Sequence, residues 1–292
     1  MNPTKAVRAN DWLNGFAKNV NSQTGEDGII ERALEVINDH NQWCVEFGAW
    51  DGRHLSNTYH LIANKGYSAV LIEGEPRRFR DLQRNFADRG NVVPINAFVG
   101  FNKQDGLDSL LAATAVPVDF DLLSIDIDGN DYHVWNAVQR YRPKIVVIEY
   151  NPTVPNPVEF VQAADMRITQ GSSILSLHKL AKQKGYELVA ATRLNAIFVE
   201  GGYFGLFGIA DNSVDAIRTE QPLVTYVFNG YDGTVFIRGC GQLHWHAMPY
   251  NETRLQQVPR WLRQYPGNYG VLKKGVAKVY RCLRKKNSLV RR

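Results

Sequence analysis

Short apolar runs alternate with stretches of helical periodicity through the first two thirds of the chain. Five of these runs have strand character, and they lie near residues 43–48, 69–73, 92–98, 121–127 and 144–150. Between them, residues 56–64, 75–88 and 131–140 carry apolar side chains at helical spacing. Because each strand is followed by a crossover, the pattern predicts an α/β fold with a mostly parallel sheet and helices on both faces.

The pattern changes after the fifth strand. The Pro-rich segment 151–157 predicts a loop, and residues 172–184 predict a helix that ends at Gly185. Residues 186–191 and 196–200 then predict a hairpin, since only a short turn separates them. An antiparallel hairpin that follows five crossover strands predicts a Rossmann-like sheet of seven strands.

The last third is richer in Gly, Pro and aromatic residues and lacks the alternation. We therefore predict three parts: a sheet domain over residues 1–205, an aromatic-rich cap or extension over 206–270, and a basic tail over 271–292. The chain of 292 residues is 44% hydrophobic and 22% charged, which is typical of a globular protein with a real core. Three widely spaced cysteines favour neither a disulfide framework nor a zinc site.

Charge separates the tail from the rest of the chain. The net charge is +5, but residues 273–292 hold nine Lys or Arg and no acid, so the remainder carries −4. We therefore expect no nucleic-acid partner for the body of the protein. Apolar positions 272, 276, 279, 280 and 283 recur at roughly helical spacing among the cations. The tail is either an amphipathic helix on an anionic membrane or a solvated cationic segment.

No stretch has the roughly 18–20 consecutive apolar residues that a membrane-spanning helix needs. The first 17 residues are too polar for a secretory signal. We expect a cytoplasmic protein, with the basic tail as the one segment suited to peripheral contact at the inner face of the membrane.

A glycine turn follows the first predicted strand, in the segment V-E-F-G-A-W-D-G of residues 45–52. Gly48 and Gly52 lie where the strand turns toward a helix, and glycine there lets a ligand approach the backbone. Glu73 ends the next strand, about 20 residues further on, which is the interval at which an acid meets ribose hydroxyls in doubly wound folds. The two features indicate a nucleoside pocket; the alternative for Glu73 is a surface acid at a strand end.

The fourth predicted strand runs into three carboxylates, Asp126 near its end and then Asp128 and Asp131. Positions 126 and 128 share one side of an extended strand, and the fifth strand brings Glu149 and Asn151 to the same edge of the sheet. Oxygen ligands suit a hard cation such as Mg²⁺, so we predict a metal site at Asp126, Asp128, Glu149 and Asn151. Alternatively, Asp128 and Asp131 cap the next helix while Asp126 alone faces a cofactor.

Histidines supply candidate bases, because imidazole titrates near neutral pH. His54 follows the glycine turn and His133 follows the acidic cluster. Further along, His244, Trp245 and His246 alternate as a strand does, which would place both imidazoles on one face. Aromatic residues of the last third either floor a sugar site or pack a core.

Taken together, the acid-Phe-Gly-Ala-x-x-Gly turn, the strand end at Glu73, Asp126 and the terminal hairpin resemble class I S-adenosylmethionine-dependent methyltransferases. The segment S-Q-T-G-E-D-G at residues 22–28 resembles their FkbM-like branch, and the resemblance covers residues 20–200. It implies that the first acid and glycines line the methionine part of the cofactor, that Glu73 binds its ribose, and that residues 96–98 flank its adenine. The implied cofactor contacts are Gln23, Glu46, Gly48, Gly52, Glu73, Asn96, Ala97 and Asp126.

The resemblance implies transfer of a methyl group to a hydroxyl of a glycan or related metabolite, with Asp126, His133 and His54 as candidate catalytic residues. A divalent cation such as Mg²⁺ would lower the pKa of that hydroxyl. One alternative is a metal-dependent nucleotide-sugar glycosyltransferase, in which Asp-x-Asp holds the diphosphate. Another is a non-catalytic protein that keeps the nucleoside pocket. A haloacid dehalogenase-like phosphatase is disfavoured, because its Asp-x-Asp belongs on the first strand rather than the fourth.

Overall fold

The structure is a computed structural model that describes the backbone of residues 9–289 and the side chains of residues 9–284. It divides into two compact units, one up to Gln221 and one from Pro222. The functional division predicted at residues 205 and 270 stays a prediction. Its outer bounds, at residues 1–8 and 290–292, lie outside the described residues.

A seven-stranded sheet forms the centre of the first unit. Its strands are β1 (Trp43–Phe47), β2 (Ser68–Glu73), β3 (Val92–Asn96), β4 (Leu122–Ile125), β5 (Ile145–Glu149), β6 (Tyr186–Ala191) and β7 (Asn195–Glu200). The strand order is β3-β2-β1-β4-β5-β7-β6. Strands β1 to β5 pair in parallel, whereas β7 runs antiparallel to both β5 and β6. All five predicted crossover strands and the terminal hairpin are confirmed.

Helices cover both faces of the sheet. Every residue of β4 is buried, and so is every residue but one in each of β1, β2 and β5. Because successive side chains of a strand point to opposite faces, these strands are covered on both faces. The helices of this unit are α1 (Glu26–Ile37), α2 (Tyr59–Lys65), α3 (Pro76–Asn85), α4 (Leu107–Leu111), α5 (Asp131–Ala137), α6 (Ile174–Lys184), α7 (Gly201–Phe204) and α8 (Val214–Ile217). A 3₁₀ helix, Trp12–Phe16, precedes them.

Local sequence sets the ends of the predicted helices. Pro76 opens α3, and the Glu75 carboxylate accepts the N–H groups of Arg77 and Arg78 at 3.0 and 2.8 Å. Gly185 ends α6 with φ +79°, a conformation that favours glycine.

The strand order reverses between β1 and β4. The chain leaves β1 toward β2 and β3 on one side and later continues through β4 and β5 on the other. The carboxyl ends of β1 and β4 therefore form the switch point of the sheet, the position at which open α/β sheets bind ligands. This order, with β7 inserted between β5 and β6, is that of the Rossmann-like sheet of class I methyltransferases. The predicted fold class is confirmed.

The second unit is built from small elements. It contains β8 (Thr225–Asn229), β9 (Val235–Gly239), β10 (Gln242–Leu243), β11 (Met248–Pro249), the 3₁₀ helices Glu252–Leu255, Arg260–Leu262 and Pro266–Asn268, and α9 (Val271–Leu289). The tail is helical up to Leu289, as in the first of its two alternatives, and its contact with a membrane stays a prediction. The strand predicted at His244 and His246 is wrong, because residues 244–247 form the turn between β10 and β11, where Ala247 has φ +50°. None of the helices between residues 9 and 289 combines the length and apolar character needed to cross a bilayer.

Candidate functional site

The glycine turn after β1 is packed against the loop that follows β4. Gly48 has φ +73°, and a Cβ built there would overlap the carbonyl oxygen of Asp126. Two residues later, Trp50 also takes a positive φ, +50°, and its N–H donates to the Glu73 carboxylate at 2.8 Å. The turn therefore ties the ends of β1, β2 and β4 together at the switch point. Gly52, with φ +74°, packs on Leu82 and Phe86 of the α3 region.

Glu46 is buried beneath this turn and is fully engaged by the chain itself. Its carboxylate accepts the hydroxyls of Ser56 and Thr58 at 2.6 and 2.7 Å and the N–H of Asn57 at 2.9 Å. Burial raises the pKa of Glu46, while these hydrogen bonds act in the opposite direction. Glu46 thus holds the segment before α2 in place, and its predicted contact with the cofactor stays a prediction.

Glu73 lies at the carboxyl end of β2 with its carboxylate oriented by two backbone donors. One oxygen accepts the Trp50 N–H at 2.8 Å and the other accepts the Glu75 N–H at 2.7 Å. A carboxylate has about four acceptor positions, so each oxygen can accept one further hydrogen bond. Beside it, Asn96 donates its side-chain amide and Ala97 its N–H to the Glu73 carbonyl, at 2.8 and 3.2 Å. The structure therefore brings together the three residues predicted for the nucleoside.

Phe98 adds an aromatic surface to this group. Its ring packs directly over Gly74, where a Cβ would overlap it, yet 69% of the residue remains exposed. A large apolar ring in that position can stack on a planar ligand held at Glu73. The sequence placed residue 98 near the adenine but gave no sign that glycine at 74 makes room for its ring.

Asp126, Asp128 and Glu149 form the second part of the site. One carboxylate oxygen from each lies within 4.8 Å of the others. Among the residues that the structure describes, none donates a hydrogen bond to these three carboxylates or forms an ion pair with them. Burial, followed by the charges of Asp131 and Asp128, raises the pKa of Asp126; burial and then Asp126 raise that of Glu149.

The convergence is confirmed, but the reason predicted for it is wrong. Strand β4 ends at Ile125, so Asp126 and Asp128 lie in a loop rather than on one side of a strand. Asp128 instead reaches the group through a left-handed backbone, with φ +57°. The tight turn of the loop, which a periodicity of two cannot predict, brings the two carboxylates together.

Asp131 holds that loop in shape. Its two oxygens accept the N–H groups of Ile127 and Gly129, each at 2.9 Å. Burial raises its pKa to about 6, against the opposing effect of these hydrogen bonds. Helix α5 begins after Asn130 without a side-chain cap. Asp128 is therefore not a cap of α5, contrary to the alternative interpretation. Asp131 stabilises the loop that precedes this helix.

Asn151, the fourth predicted ligand, is occupied by the loop after β5. Its amide oxygen accepts the N–H and hydroxyl of Thr153 at 3.0 and 2.6 Å, and its amide nitrogen donates to the Gln170 carbonyl at 2.8 Å. These bonds engage both ends of the amide. Its role as a ligand stays a prediction.

The two candidate histidines have different surroundings. The Nε2 atom of His133 lies 2.8 Å from the Gln162 carbonyl, which requires a proton on Nε2 and leaves Nδ1 as the acceptor. His54 is exposed and places its ring edge-on to Trp50, with centroids 5.1 Å apart. Gln23 is also exposed, and its carbonyl accepts the Asn19 amide at 3.1 Å. The roles predicted for these three stay predictions.

Sequence reasoning missed what Glu26 and Asp27 do in the segment before the first strand. Glu26 accepts the Thr192 hydroxyl at 2.6 Å and the Asn195 amide at 3.0 Å, at the turn between β6 and β7. Asp27 accepts three consecutive N–H groups, those of residues 20–22, at 2.7–2.8 Å. Both acids are buried: Glu26 fixes this segment onto the terminal hairpin, whereas Asp27 holds the preceding loop of residues 20–22 in shape.

A buried arginine that the sequence did not reveal fixes the chain just after β5. Arg218 donates to the carbonyls of Pro152 and Val154, at 2.6 and 3.0 Å, and its guanidinium lies over the Tyr150 ring at 4.9 Å. The position of Arg218, more than 60 residues from its partners, gave no signal of this role.

Comparison with known proteins adds partial likenesses only. No family model matches the chain, and no curated protein matches it. The N-terminal domain of EvdMO1, solved with SAH bound, is 12% identical over 59% of this chain and 79% of its own, with a TM-score of 0.38. A putative O-methyltransferase from Klebsiella pneumoniae is 14% identical over 65% of this chain and 86% of its own, with a TM-score of 0.39.

TrmK of M. capricolum, in complex with S-adenosyl-homocysteine, is 12% identical over 57% of this chain and 66% of its own, with a TM-score of 0.34. At such scores these likenesses carry no functional argument. The functional argument therefore depends on the residues of the site.

Proposed function

We propose that this chain is an S-adenosylmethionine-dependent methyltransferase that methylates a hydroxyl group of a glycan or related metabolite. The observation that carries the proposal is the Glu73 carboxylate at the switch point of a seven-stranded sheet in the methyltransferase strand order. Two backbone N–H groups orient it and leave acceptor positions for a ligand. An acid in this position suits the two hydroxyls of a ribose.

The residues around Glu73 fit the rest of the cofactor. The exposed ring of Phe98 suits an adenine, and the absence of Lys and Arg from the turn of residues 48–52 fits a cofactor without a pyrophosphate. The next cation, Arg53, donates to the Asn85 carbonyl at 2.9 Å. When bound, S-adenosylmethionine supplies an electrophilic methyl group on a sulfonium.

The acidic group supports the chemistry at the acceptor. Asp126 has a pKa raised by burial and by neighbouring acids, which suits a carboxylate that takes a proton from a hydroxyl. With its proton on Asp126, the acceptor oxygen would bond to the methyl carbon, and the electron pair of the broken carbon–sulfur bond would stay on sulfur. The protein contributes the orientation of the acceptor and the removal of its proton.

A divalent cation is the second form of this proposal, in which Asp126 would be a ligand and no longer the group that takes the proton. Asp126, Asp128 and Glu149 offer three oxygens without internal partners, and such a set is suited to Mg²⁺. The cation would lower the pKa of the acceptor hydroxyl and neutralise the mutual repulsion of the carboxylates. The choice of a glycan follows from the FkbM-like segment and from carboxylates that can accept hydrogen bonds from a polyol.

The first test is calorimetric titration with S-adenosylhomocysteine of the wild type, Glu73→Gln and Glu75→Gln. Glu73→Gln removes the charge that would accept two hydroxyls, so we expect affinity to fall about 10- to 100-fold, as for the loss of charge-assisted hydrogen bonds. Glu75 lies two residues away and caps α3, so Glu75→Gln should bind within about 2-fold of the wild type. Thermal melting of both variants checks that the fold is intact.

Saturable binding by the wild type and Glu75→Gln, but not by Glu73→Gln, supports the pocket. Absence of binding to the folded wild type would contradict it, above all if a nucleotide-sugar diphosphate bound with Mg²⁺ or Mn²⁺ instead. Formation of S-adenosylhomocysteine from the methyl donor in the presence of glycan fractions, with and without a chelator, then tests acceptor class and metal separately. Binding without turnover on any fraction would favour a non-catalytic protein.

A further inference from the structure

Helix α9 of the second unit carries an apolar stripe in the open. Leu272, Val276, Val279 and Leu283 follow the spacing i, i+4, i+7 and i+11, which places them on one face of a helix. Their exposed fractions lie between 48% and 87%. A continuous row of exposed apolar side chains of this size marks an interaction surface, for a protein or for a membrane.

A different face of α9 is already packed on its own unit. Ala277 is buried, the Tyr280 hydroxyl donates to the Gln257 carbonyl at 3.0 Å, and the Lys273 ammonium donates to the Gln264 side chain at 2.7 Å. The helix is thus held in place while its apolar stripe stays exposed. The stripe is therefore not the face that the fold of this unit uses.

The charge of the second unit indicates which kind of partner can bind at the apolar stripe. Residues 222–292 contain thirteen Lys or Arg and two acids, and exposed Lys274, Lys278 and Arg281 lie on α9 itself, away from the stripe. A second copy of this unit would bring the same excess of positive charge, and the two would repel each other. An anionic surface would instead be attracted.

We infer that α9 binds an anionic lipid bilayer, lying in the plane of the surface with its apolar stripe in the boundary between headgroups and acyl chains. An apolar face combined with a polar face rich in Lys and Arg is the pattern of such helices. The same unit exposes Trp245 and Trp261, whose rings suit the membrane interface. Single-stranded nucleic acid would engage the cations but leave four aliphatic side chains in water.

The test is co-sedimentation of the full-length protein with vesicles of phosphatidylcholine alone and with vesicles that also contain phosphatidylglycerol. We expect binding to the mixed vesicles and little to the neutral ones. The variant Leu272→Ser/Leu283→Ser and the variant Lys274→Gln/Lys278→Gln/Arg281→Gln should each lower the partition coefficient at least about 10-fold, through lost apolar burial and lost attraction respectively.

Matched controls come from exposed residues of the first unit. Val118→Ser/Leu206→Ser removes two exposed apolar side chains, and Arg80→Gln/Arg84→Gln/Lys103→Gln removes three exposed cations. Both should bind vesicles as the wild type does. The inference is overturned if the wild type does not bind mixed vesicles, or if Leu272→Ser/Leu283→Ser binds them equally well. Binding of an RNA oligonucleotide in preference to the vesicles, or a self-association lost in that variant, would overturn it as well.

Discussion

Two groups of acids near the same edge of the sheet differ in whether the chain itself donates hydrogen bonds to them. Glu26, Glu46 and Glu73, the partnered acids, each accept hydrogen bonds from the chain itself. The unpartnered acids, Asp126, Asp128 and Glu149, face one another within 4.8 Å and accept none from the described residues. The partnered acids fix loops, whereas the oxygens of the unpartnered acids remain available to a hydrogen-bond donor or a cation.

The difference has an energetic meaning. A buried carboxylate that is hydrogen-bonded stabilises the loop that supplies its donors, while carboxylates packed together without partners destabilise the fold when they are charged. The unpartnered group therefore persists because the rest of the fold, including Asp131 and the contact of Gly48 with the Asp126 carbonyl, holds it in place. Five variants, with Gly66→Ala as a control, test this contrast.

The largest effect is expected at the point where the two groups meet. Gly48→Ala would force a methyl group into the carbonyl oxygen of Asp126 at φ +73°, and we expect a loss of about 4 kcal/mol in the free energy of unfolding. Gly66→Ala is the matched control, since Gly66 has φ +75° and no atom within 4 Å of its Cβ position. It should cost only about 1 kcal/mol. Equal losses by urea unfolding would show that the contact does not matter.

Glu46→Ala comes next. It leaves the donors on Ser56, Asn57 and Thr58 without their acceptor, and we expect a loss of about 3 kcal/mol. Asp126→Ala, which removes an unpartnered acid, should cause no loss, because it leaves no donor without an acceptor and removes a charge that destabilises the fold. If urea unfolding gave similar losses for both, the contrast between the two groups would be wrong.

Thr192→Val tests a partnered acid through pH. Burial acts to raise the pKa of Glu26, but hydrogen bonds from Thr192, Thr24 and Asn195 outweigh it and leave the pKa below the ordinary 4.5. A lowered pKa stabilises the fold above the unfolded value, and this stabilisation is lost as the pH falls. The variant should therefore lose about 1–2 kcal/mol at neutral pH, and less below the ordinary pKa. A loss of stability that does not depend on pH would show that Thr192 does not act through the charge of Glu26.

Asp126→Asn should show the opposite dependence, with the smallest effect. Because the pKa of Asp126 is raised in the fold, the native state holds more protons, and stability falls as the pH rises past the ordinary carboxyl value of 3.8. The variant should match the wild type in acid and exceed it by about 1 kcal/mol in mild base. Melting curves across pH, repeated with Mg²⁺, measure this. A variant less stable than the wild type in base would mean that Asp126 has an internal partner.

Much of the fold was predictable, because the central strands are buried on both faces and therefore form apolar runs with clear ends. Glu73 and the glycine turn were predictable for a related reason, since both lie at strand ends whose position the runs define. The convergence of Asp126 with Glu149 followed from strand adjacency alone. In each case the signal is local, or depends only on the order of parallel strands.

Other features depend on contacts between distant residues, which a single sequence does not display. The space over Gly74 that Phe98 fills, the amide of Asn151 bound within its loop and the buried Arg218 belong to this class. The strand expected at His244 failed because alternation over three residues does not distinguish a strand from a tight turn.

The tie between Glu26 and Thr192 has a consequence for how the molecule is made. These residues are 166 positions apart, and the Trp12 indole likewise donates to the Phe207 carbonyl, 195 positions away. At a synthesis rate of roughly 5–20 residues per second, the beginning of the chain waits about 10 seconds or more before its acceptors leave the ribosome. Assembly of the first unit therefore finishes only after both partner residues have been synthesised, and until then the segment that carries Trp12 and Glu26 lacks these long-range hydrogen bonds.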